Sequence, residues 1–339
     1  MAKIDVVIPW VDGSDPEWIA KKAKYTKEAL KTDDRPIRYR DWEELVYIFR
    51  GIETNIPWVR KVFLITEGHV PSWLNEECKK LVHVKHSDYI PKEYLPTFSS
   101  HPIELNMHRI EGLSERFIYF NDDMFVLQPL KEEMFFKEGR PVYPAILHAP
   151  TSDDRSDVMP YVYLNNNLVI NRHFKKEDVL EHKDKWFSLR NGYRSAIENR
   201  FNSRYPQIIG FYNSHLPTPF LKSTLQEVWD KEGELLDQVS SHRFRSKEDV
   251  SQYLFRCWDL AKGNFEPIDS KKQGKEIDIT EDRLEEICRT ITERRYPMIC
   301  LNDTVESFSN TEFDQIRTRI NRCFESIYPA KSGFEKQSR

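Results

Sequence analysis

Residues 116–125 read RFIYFNDDMF, an apolar and aromatic run that stops abruptly at Asn121-Asp122-Asp123. A run of this kind reads as a buried strand. Two adjacent carboxylates at its end are costly to place there unless something positive meets them. Mg²⁺ or Mn²⁺ carrying a phosphorylated ligand would do so, because hard cations share carboxylate and phosphate oxygens. A strand that ends in a turn, its acids capping the next segment, satisfies the same pattern. The motif alone leaves both readings open.

The segments before it set the fold class. Residues 4–10 form a β-rich run ending in the turn signal Asp12-Gly13-Ser14-Asp15-Pro16, and residues 17–31 have helical composition, with Asp15 as cap and Pro16 at the first helical position. Residues 40–53 carry Leu45, Ile48, Phe49 and Ile52 at helical spacing, so a helix started by Asp41 is expected. Strands follow at 62–66 and 81–85, then a helix over 104–113. Strands alternating with helices predict an α/β fold with a mainly parallel, nucleotide-binding sheet, Rossmann-like or GT-A-like, over residues 1–150. Ligands collect at the C-terminal ends of such strands, where the Asp12–Pro16 turn and the acids both fall.

Residues 151–330 are expected to be mostly helical, completing the active site and returning to the core. The polar stretch 151–158 reads as a mobile loop. Helices are expected over 175–204, 221–238, 247–262 and 277–296, with a short strand at 299–302. The charged tail 331–339 has the composition of a disordered segment.

The 339 residues are 39% hydrophobic and 13% aromatic, enough for a sizeable core. A net charge of −4 gives no support for a nucleic-acid partner. No apolar run reaches the roughly 18–20 residues that cross a bilayer, and the first residues lack the pattern of a secretory signal. Five cysteines without metal-type spacing suit reduced thiols. A cytoplasmic protein is expected, and peripheral attachment at the inner face of the cell membrane is compatible with that.

Four separated segments together resemble the Stealth family of sugar-phosphate transferases. They are IDVVIPWVDGSDPEW (4–18), the long block 38–125 with RYRDWEELVYIFRGIE, LPTFSSHPIE and HRIEGLSERFIYFNDDMF, then NNNLVINRHF, SHLP and SHRFRSKED between 165 and 249, and CLND (300–303). That family builds bacterial capsular and cell-surface polysaccharides. It is similar to the catalytic subunit of the animal enzyme that places N-acetylglucosamine-1-phosphate on lysosomal glycoproteins. Asp12 is a departure, since other members often carry Asn there.

The resemblance implies a nucleotide-sugar donor, for example a UDP-sugar, and a glycan or lipid-linked oligosaccharide acceptor. Asp122, Asp123, Asn302 and Asp303 become candidate ligands of Mg²⁺ or Mn²⁺. His215 of SHLP becomes the candidate base, histidine being the side chain that titrates in the working range, with His108 second. Arg245 becomes the phosphate clamp, because a guanidinium can hold two phosphate oxygens. Arg243 is expected to point the same way on an extended segment. Arg109 and Arg50 are further anion-binding candidates, although a solvated helix face explains Arg50 equally well. Asp12, Gly13 and Ser14 are read as the wall of the nucleotide pocket, Gly13 letting backbone approach the ligand. Thr97, Ser99 and Ser100 are candidate hydroxyl donors. A metal-dependent glycosyltransferase that releases the diphosphate, and a non-catalytic carbohydrate-binding protein, remain as alternatives.

Overall fold

The structure, a computed structural model, describes residues 3–25, 27, 32–151 and 157–337. Most of the expected acidic loop, residues 152–156, and part of the helix expected over 17–31 lie outside these residues. The first half runs β1 (Ile4–Pro9), α1 (Pro16–Ala23), α2 (Leu45–Asn55), β2 (Val62–Thr66), β3 (Leu81–Lys85), α3 (Ser100–Leu105), β4 (Arg116–Tyr119), β5 (Met124–Val126), β6 (Phe136–Lys137) and β7 (Arg140–Tyr143). The second half runs α4 (Met159–His173), α5 (Tyr193–Asn202), β8 (Thr218–Leu221), α6 (Lys222–Ser240), α7 (Tyr253–Lys262), β9 (Glu266–Pro267), β10 (Gly274–Asp278), α8 (Leu284–Thr292), β11 (Met298–Asn302) and α9 (Asn310–Ile327), with shorter helices between.

The main sheet has the order β3-β2-β1-β4-β8. Its first four strands are parallel, and β8 pairs antiparallel with β4. This is the expected α/β fold. Alternation along each strand feeds two cores, with Val6, Ile8, Leu64 and Ile118 on one face and Val7, Phe63, Ile65 and Phe117 on the other. Both faces are covered, which is why these strands are almost wholly apolar. Phe63, Phe117 and Phe220 are fully buried, each worth about 1.5–3 kcal/mol of transfer free energy.

Two smaller sheets, β10-β11-β5 and β6-β7-β9, carry the chain from the main sheet into the second half. Strand reversals place the site. Since β8 runs against β4 with Thr218 opposite Tyr119, the residues just before β8 lie at the C-terminal end of β4. In the same way β11 runs against β5 with Cys300 opposite Met124, which brings residues 301–303 beside Asp123.

Several expected boundaries move. The 40–53 helix begins only at Leu45, because Glu43 takes a left-handed conformation (φ 58°) and residues 40–44 stay irregular. The 104–113 helix is α3 followed by one turn at Met107–Arg109, and the 277–296 helix begins at Leu284 because Ile277 lies in β10. The helix expected over 175–204 is broken into shorter pieces. α1 begins as expected, with Trp18 N donating to Asp15 Oδ1 at 2.7 Å.

The tail is the larger correction. Residues 331–337 are docked, with Phe334 1% exposed and packed on Phe49 at a ring separation of 5.0 Å. Backbone bonds from Asn75 N to Phe334 O and from Lys336 N to Trp73 O, both 2.8 Å, hold the segment. Its charge has a partner: Arg50 Nε and Nη2 donate to Glu335 at 2.8 Å, while Nη1 donates to Glu325 and to Tyr328 O. Arg50, expected at the nucleotide, is therefore a buried clasp between α2 and the C-terminal segment.

Burial would raise the Glu335 pKa, but the Arg50 pairing and the Ser332 backbone N–H hold it below the usual range. A depressed carboxylate pKa stabilises above its unfolded value of ~4.3, and the contribution is lost as pH falls through the folded pKa. Glu335→Ala should destabilise the protein by about 3 kcal/mol at pH 7, since it strands a buried guanidinium. The gap to wild type should shrink in acid below about pH 4. Denaturant melts of both proteins across pH would check this, and equal midpoints at pH 7 would refute the clasp.

Candidate functional site

At the C-terminal ends of β1 and β4, where the strand order reverses, a cavity of about 480 Å³ opens. Trp10, Asn121, Asp122 and Asp123 line it from those strand ends. His215 arrives on the approach to β8, Asn302 and Asp303 at the end of β11, and Arg38, Arg40, Asp41 and Glu44 from the irregular segment before α2. Arg245, Ser100, Tyr163, Tyr253 and Glu276 complete much of the wall.

One side of the cavity is acidic. Glu44 is buried, its Oε1 has no hydrogen-bond partner, and burial followed by Asp123 and Asp41 raises its pKa well above the usual carboxylate value. Asp123 Oδ1 is likewise buried and unpartnered. Asp122 is exposed toward the cavity, though protein is densely packed around it. That enclosure first, then Asp123 and Asp41, raises its carboxyl pKa.

His215 stands beside these acids. Its Nε2 lies 3.3 Å from Asp123 Oδ2 and 3.2 Å from Asn121 Nδ2, its Nδ1 lies 2.8 Å from the Tyr253 hydroxyl, and its backbone N–H donates to Glu276 Oε1 at 2.7 Å. Burial alone would lower its pKa, but Asp123 outweighs that and the net shift is upward.

The other side is cationic. Asp33 N donates to Arg245 O, and the Asp33 carboxylate holds Arg35 and Arg38, so the two segments are tied together. Arg38 has its pKa lowered by burial and then by the nearby Arg245. Arg245 Nη2 donates to Ser100 Oγ at 2.9 Å, and among the described residues it pairs with no carboxylate. Buried Asp249 fixes this wall by accepting bonds from His101 (2.7 Å), His242 (2.6 Å) and Ser246 N (2.9 Å).

The expected residues divide. Asp122, Asp123, Asn302, Asp303, His215, Arg245 and Ser100 share the cavity. Asp303, however, accepts two bonds from Arg40 at 2.7 Å and one from Trp42 Nε1 at 3.0 Å. Its charge is already matched, so a role as metal ligand does not fit it. Asn302 Oδ1 faces the Cys300 thiol.

Arg243 lies over the Tyr25 ring at 4.8 Å, away from the cavity lining. Arg109 lies over Trp229 at 4.6 Å. His108 is buried against the same Trp229, and burial then Arg109 push its pKa down to about 4. Neither lines the cavity. Asp12 and Ser14 bond each other within their turn, and Gly13 is demanded by protein rather than ligand, since a Cβ there would meet Tyr39 O at 1.9 Å. Thr97 and Ser99 are buried in their own loop.

Arg38, Arg40, Asp41, Glu44, Tyr253 and Glu276 were not singled out from the sequence. For the first four a signal existed, because five of the seven residues in RYRDWEE are charged, more than an amphipathic helix entry needs.

A hard divalent cation fits the donor set. Two buried carboxylate oxygens lack partners, and Asp123 and Asp41 add to burial in raising the pKa values of Glu44 and Asp122, so positive charge is what this part of the cavity is short of. Asp123, His215 and Cys300 also bring donor atoms within 4.8 Å of one another. Burial and Asp123 raise the Cys300 pKa well above its ordinary value and keep it a thiol, which leaves the oxygens as the better ligands. Asp122→Asn should stabilise the metal-free protein by roughly 1 kcal/mol by relieving repulsion. It should also abolish the rise in melting temperature that Mn²⁺ gives the wild type. Thermal melts with EDTA and with Mn²⁺ test both signs, and a variant still stabilised by Mn²⁺ would exclude Asp122 as a ligand.

The chain has relatives among known proteins. Conserved region 1 of the Stealth proteins matches residues 2–28, region 2 residues 38–142 and region 4 residues 289–339. The chain is 38% identical to capsular polysaccharide phosphotransferase WcwK of Streptococcus pneumoniae, over 99% of both chains. It is 36% identical to receptor polysaccharide phosphotransferase WefC of Streptococcus oralis, over 99% of this chain and all of the other. It is 34% identical to exopolysaccharide phosphotransferase cps2G of Lactiplantibacillus plantarum, over 98% and 96%. Among solved structures the galactosyltransferase LgtC aligns over 95% of both chains at 9% identity and a TM-score of 0.40, too distant to speak to chemistry. The chain belongs to the Stealth family and is an enzyme of its phosphotransferase class.

Proposed function

We propose that this enzyme transfers a hexose 1-phosphate, such as N-acetylglucosamine 1-phosphate, from a UDP-sugar to a hydroxyl of a glycan acceptor in capsular or cell-surface polysaccharide synthesis. The acceptor is a lipid-linked oligosaccharide or a growing polymer. One observation carries the reading: a single cavity is lined by a histidine, a cluster of carboxylates and two guanidiniums. The kinship with named polysaccharide phosphotransferases supports it.

In the reaction the acceptor oxygen attacks the β-phosphorus. A P–O bond forms to the acceptor, the P–O bond to the nucleoside monophosphate breaks, and the hydroxyl proton must be removed. Arg245 and Arg38 are placed to hold the diphosphate oxygens, where a guanidinium binds two at once. A neutral His215 that donates Nδ1–H to Tyr253 keeps Nε2 available to take the acceptor proton. Once protonated, the ring is held by Asp123 at 3.3 Å. Mg²⁺ or Mn²⁺, held by Asp122 and Asp123, would add positive charge toward the phosphoryl oxygens when bound.

Product analysis decides between this reaction and attack of the acceptor on the anomeric carbon of the donor sugar, which releases the diphosphate. Incubation with a UDP-sugar and acceptor should release UMP and give a phosphodiester ³¹P signal, whereas UDP as product would overturn the assignment. His215→Ala should lose roughly 10²–10⁴-fold in turnover while UDP-sugar affinity and melting temperature stay near wild type. Joint loss of all three would make His215 a structural residue.

A further inference from the structure

The helix Tyr193–Asn202 packs with polar side chains inward and leaves apolar ones outside. Its buried positions are the polar Ser195 and Asn199, while Tyr193, Ile197 and Phe201 face outward. With Leu189 before and Tyr205 after, exposed apolar residues recur at every fourth position. Leu189 and Tyr193 are each 72% exposed and Phe201 60%. A helix that faces only water carries its apolar stripe toward the core.

The helix is attached by Asn199. Its Nδ2 donates to Ala145 O at 2.7 Å and Trp186 O at 2.6 Å, and its Oδ1 accepts from Leu147 N at 2.7 Å. Apolar packing is thus not what holds it, and the stripe is left for something else.

Charge identifies the occupant. Residues 183–205 hold six basic and two acidic residues, in a chain whose net charge is −4. Glu198 lies next to His148, so its charge is directed away from the stripe. Arg194, Arg200 and Arg204 are exposed and, among the described residues, form no ion pair. The Arg204 guanidinium lies 5.1 Å from the Phe201 ring centre. Aromatic residues interleaved with arginines on an exposed helix match the boundary between anionic headgroups and acyl chains. A second copy docking on the same face across a two-fold axis would bring like-charged arginines together.

We infer that α5 binds the surface of an anionic bilayer, with Tyr193, Ile197 and Phe201 at the acyl boundary and Arg194, Arg200 and Arg204 among the headgroup phosphates. No helix among the described residues is long and apolar enough to cross a membrane, so this contact is peripheral. The surface connects to the catalytic cavity. Lys176 Nζ donates to Tyr205 O at 2.9 Å, and Asn167 and Asn171 of α4 donate to Ile208 O, while Met159, Pro160 and Tyr163 at the start of α4 line the cavity. Together with the proposed function, this would present the cavity to acceptors carried in the membrane. The binding itself does not depend on that function.

Sedimentation with vesicles tests the inference independently of catalysis. Wild type should bind vesicles of equal phosphatidylcholine and phosphatidylglycerol, bind pure phosphatidylcholine far less, and be released by salt. Joint replacement Arg194→Gln, Arg200→Gln and Arg204→Gln should weaken binding to the anionic vesicles on the order of 10²-fold or more. Tyr193→Ser with Phe201→Ser should weaken it at least about tenfold. Both variants alter exposed side chains, so their melting temperature and UMP release with a water-soluble acceptor should match wild type. Failure of the wild type to bind, binding unchanged in both variants, or a solution dimer that Tyr193→Ser with Phe201→Ser dissolves would each overturn the inference.

Discussion

Like-charge repulsion at the open end of the sheet is the constraint around which this protein is built. After burial, Asp123 and Asp41 raise the proton affinity of Glu44 and Asp122, and one oxygen each of Glu44 and Asp123 is buried without a partner. Carboxylates so placed would separate if the backbone were free to move. It is not free: Leu301 N bonds Asp123 O, β5 is paired to β11, and β4 is packed inside the main sheet. Glu44 stands at the N-terminus of α2 without a side-chain cap bond, and there the helix dipole offsets part of the cost. The apolar strands supply the stability that the acids consume.

The cationic wall repeats the arrangement with opposite sign. Arg245 disfavours the charge of Arg38, yet Asp33 and the Asp249 knot hold the two segments in place. Each wall is unfavourable alone. A ligand that brings anionic oxygens to one and a cation to the other relieves both, which is the electrostatic description of a metal-bound diphosphate.

Much of this was legible in the sequence because it was local. The strand 116–120, the acids after it and the cap at Asp15 announce themselves within a few residues, and β2 and β3 fall at their expected bounds. What was hidden depends on distant partners. Arg50 looks like any helix-face arginine until Glu335, 285 residues away, is placed against it. Asp303 looks like a ligand until Arg40 closes on it. Arg243 and Arg245 differ by two positions yet diverge, because Tyr25 takes one and the cavity the other. The helix period over 40–53 was real, but it ran past the left-handed Glu43, and that hid the residues that line the site.

The clasp between Arg50 and Glu335 also bears on how the chain comes to be folded. α2 packs into the first core cluster, yet its guanidinium gains its closest partners only when residues 325–335 exist. At translation speeds of about 5–20 residues per second, roughly 15–60 s separate the synthesis of the two ends of this contact. Until residue 221 is made the sheet also lacks β8, and the edge of β4 is unpaired. The nascent chain therefore passes through a stage with an open strand edge, and the Arg50 guanidinium waits for its partner until residue 335 is made. Chaperone demand should accordingly fall on this late assembly rather than on the early βαβ units.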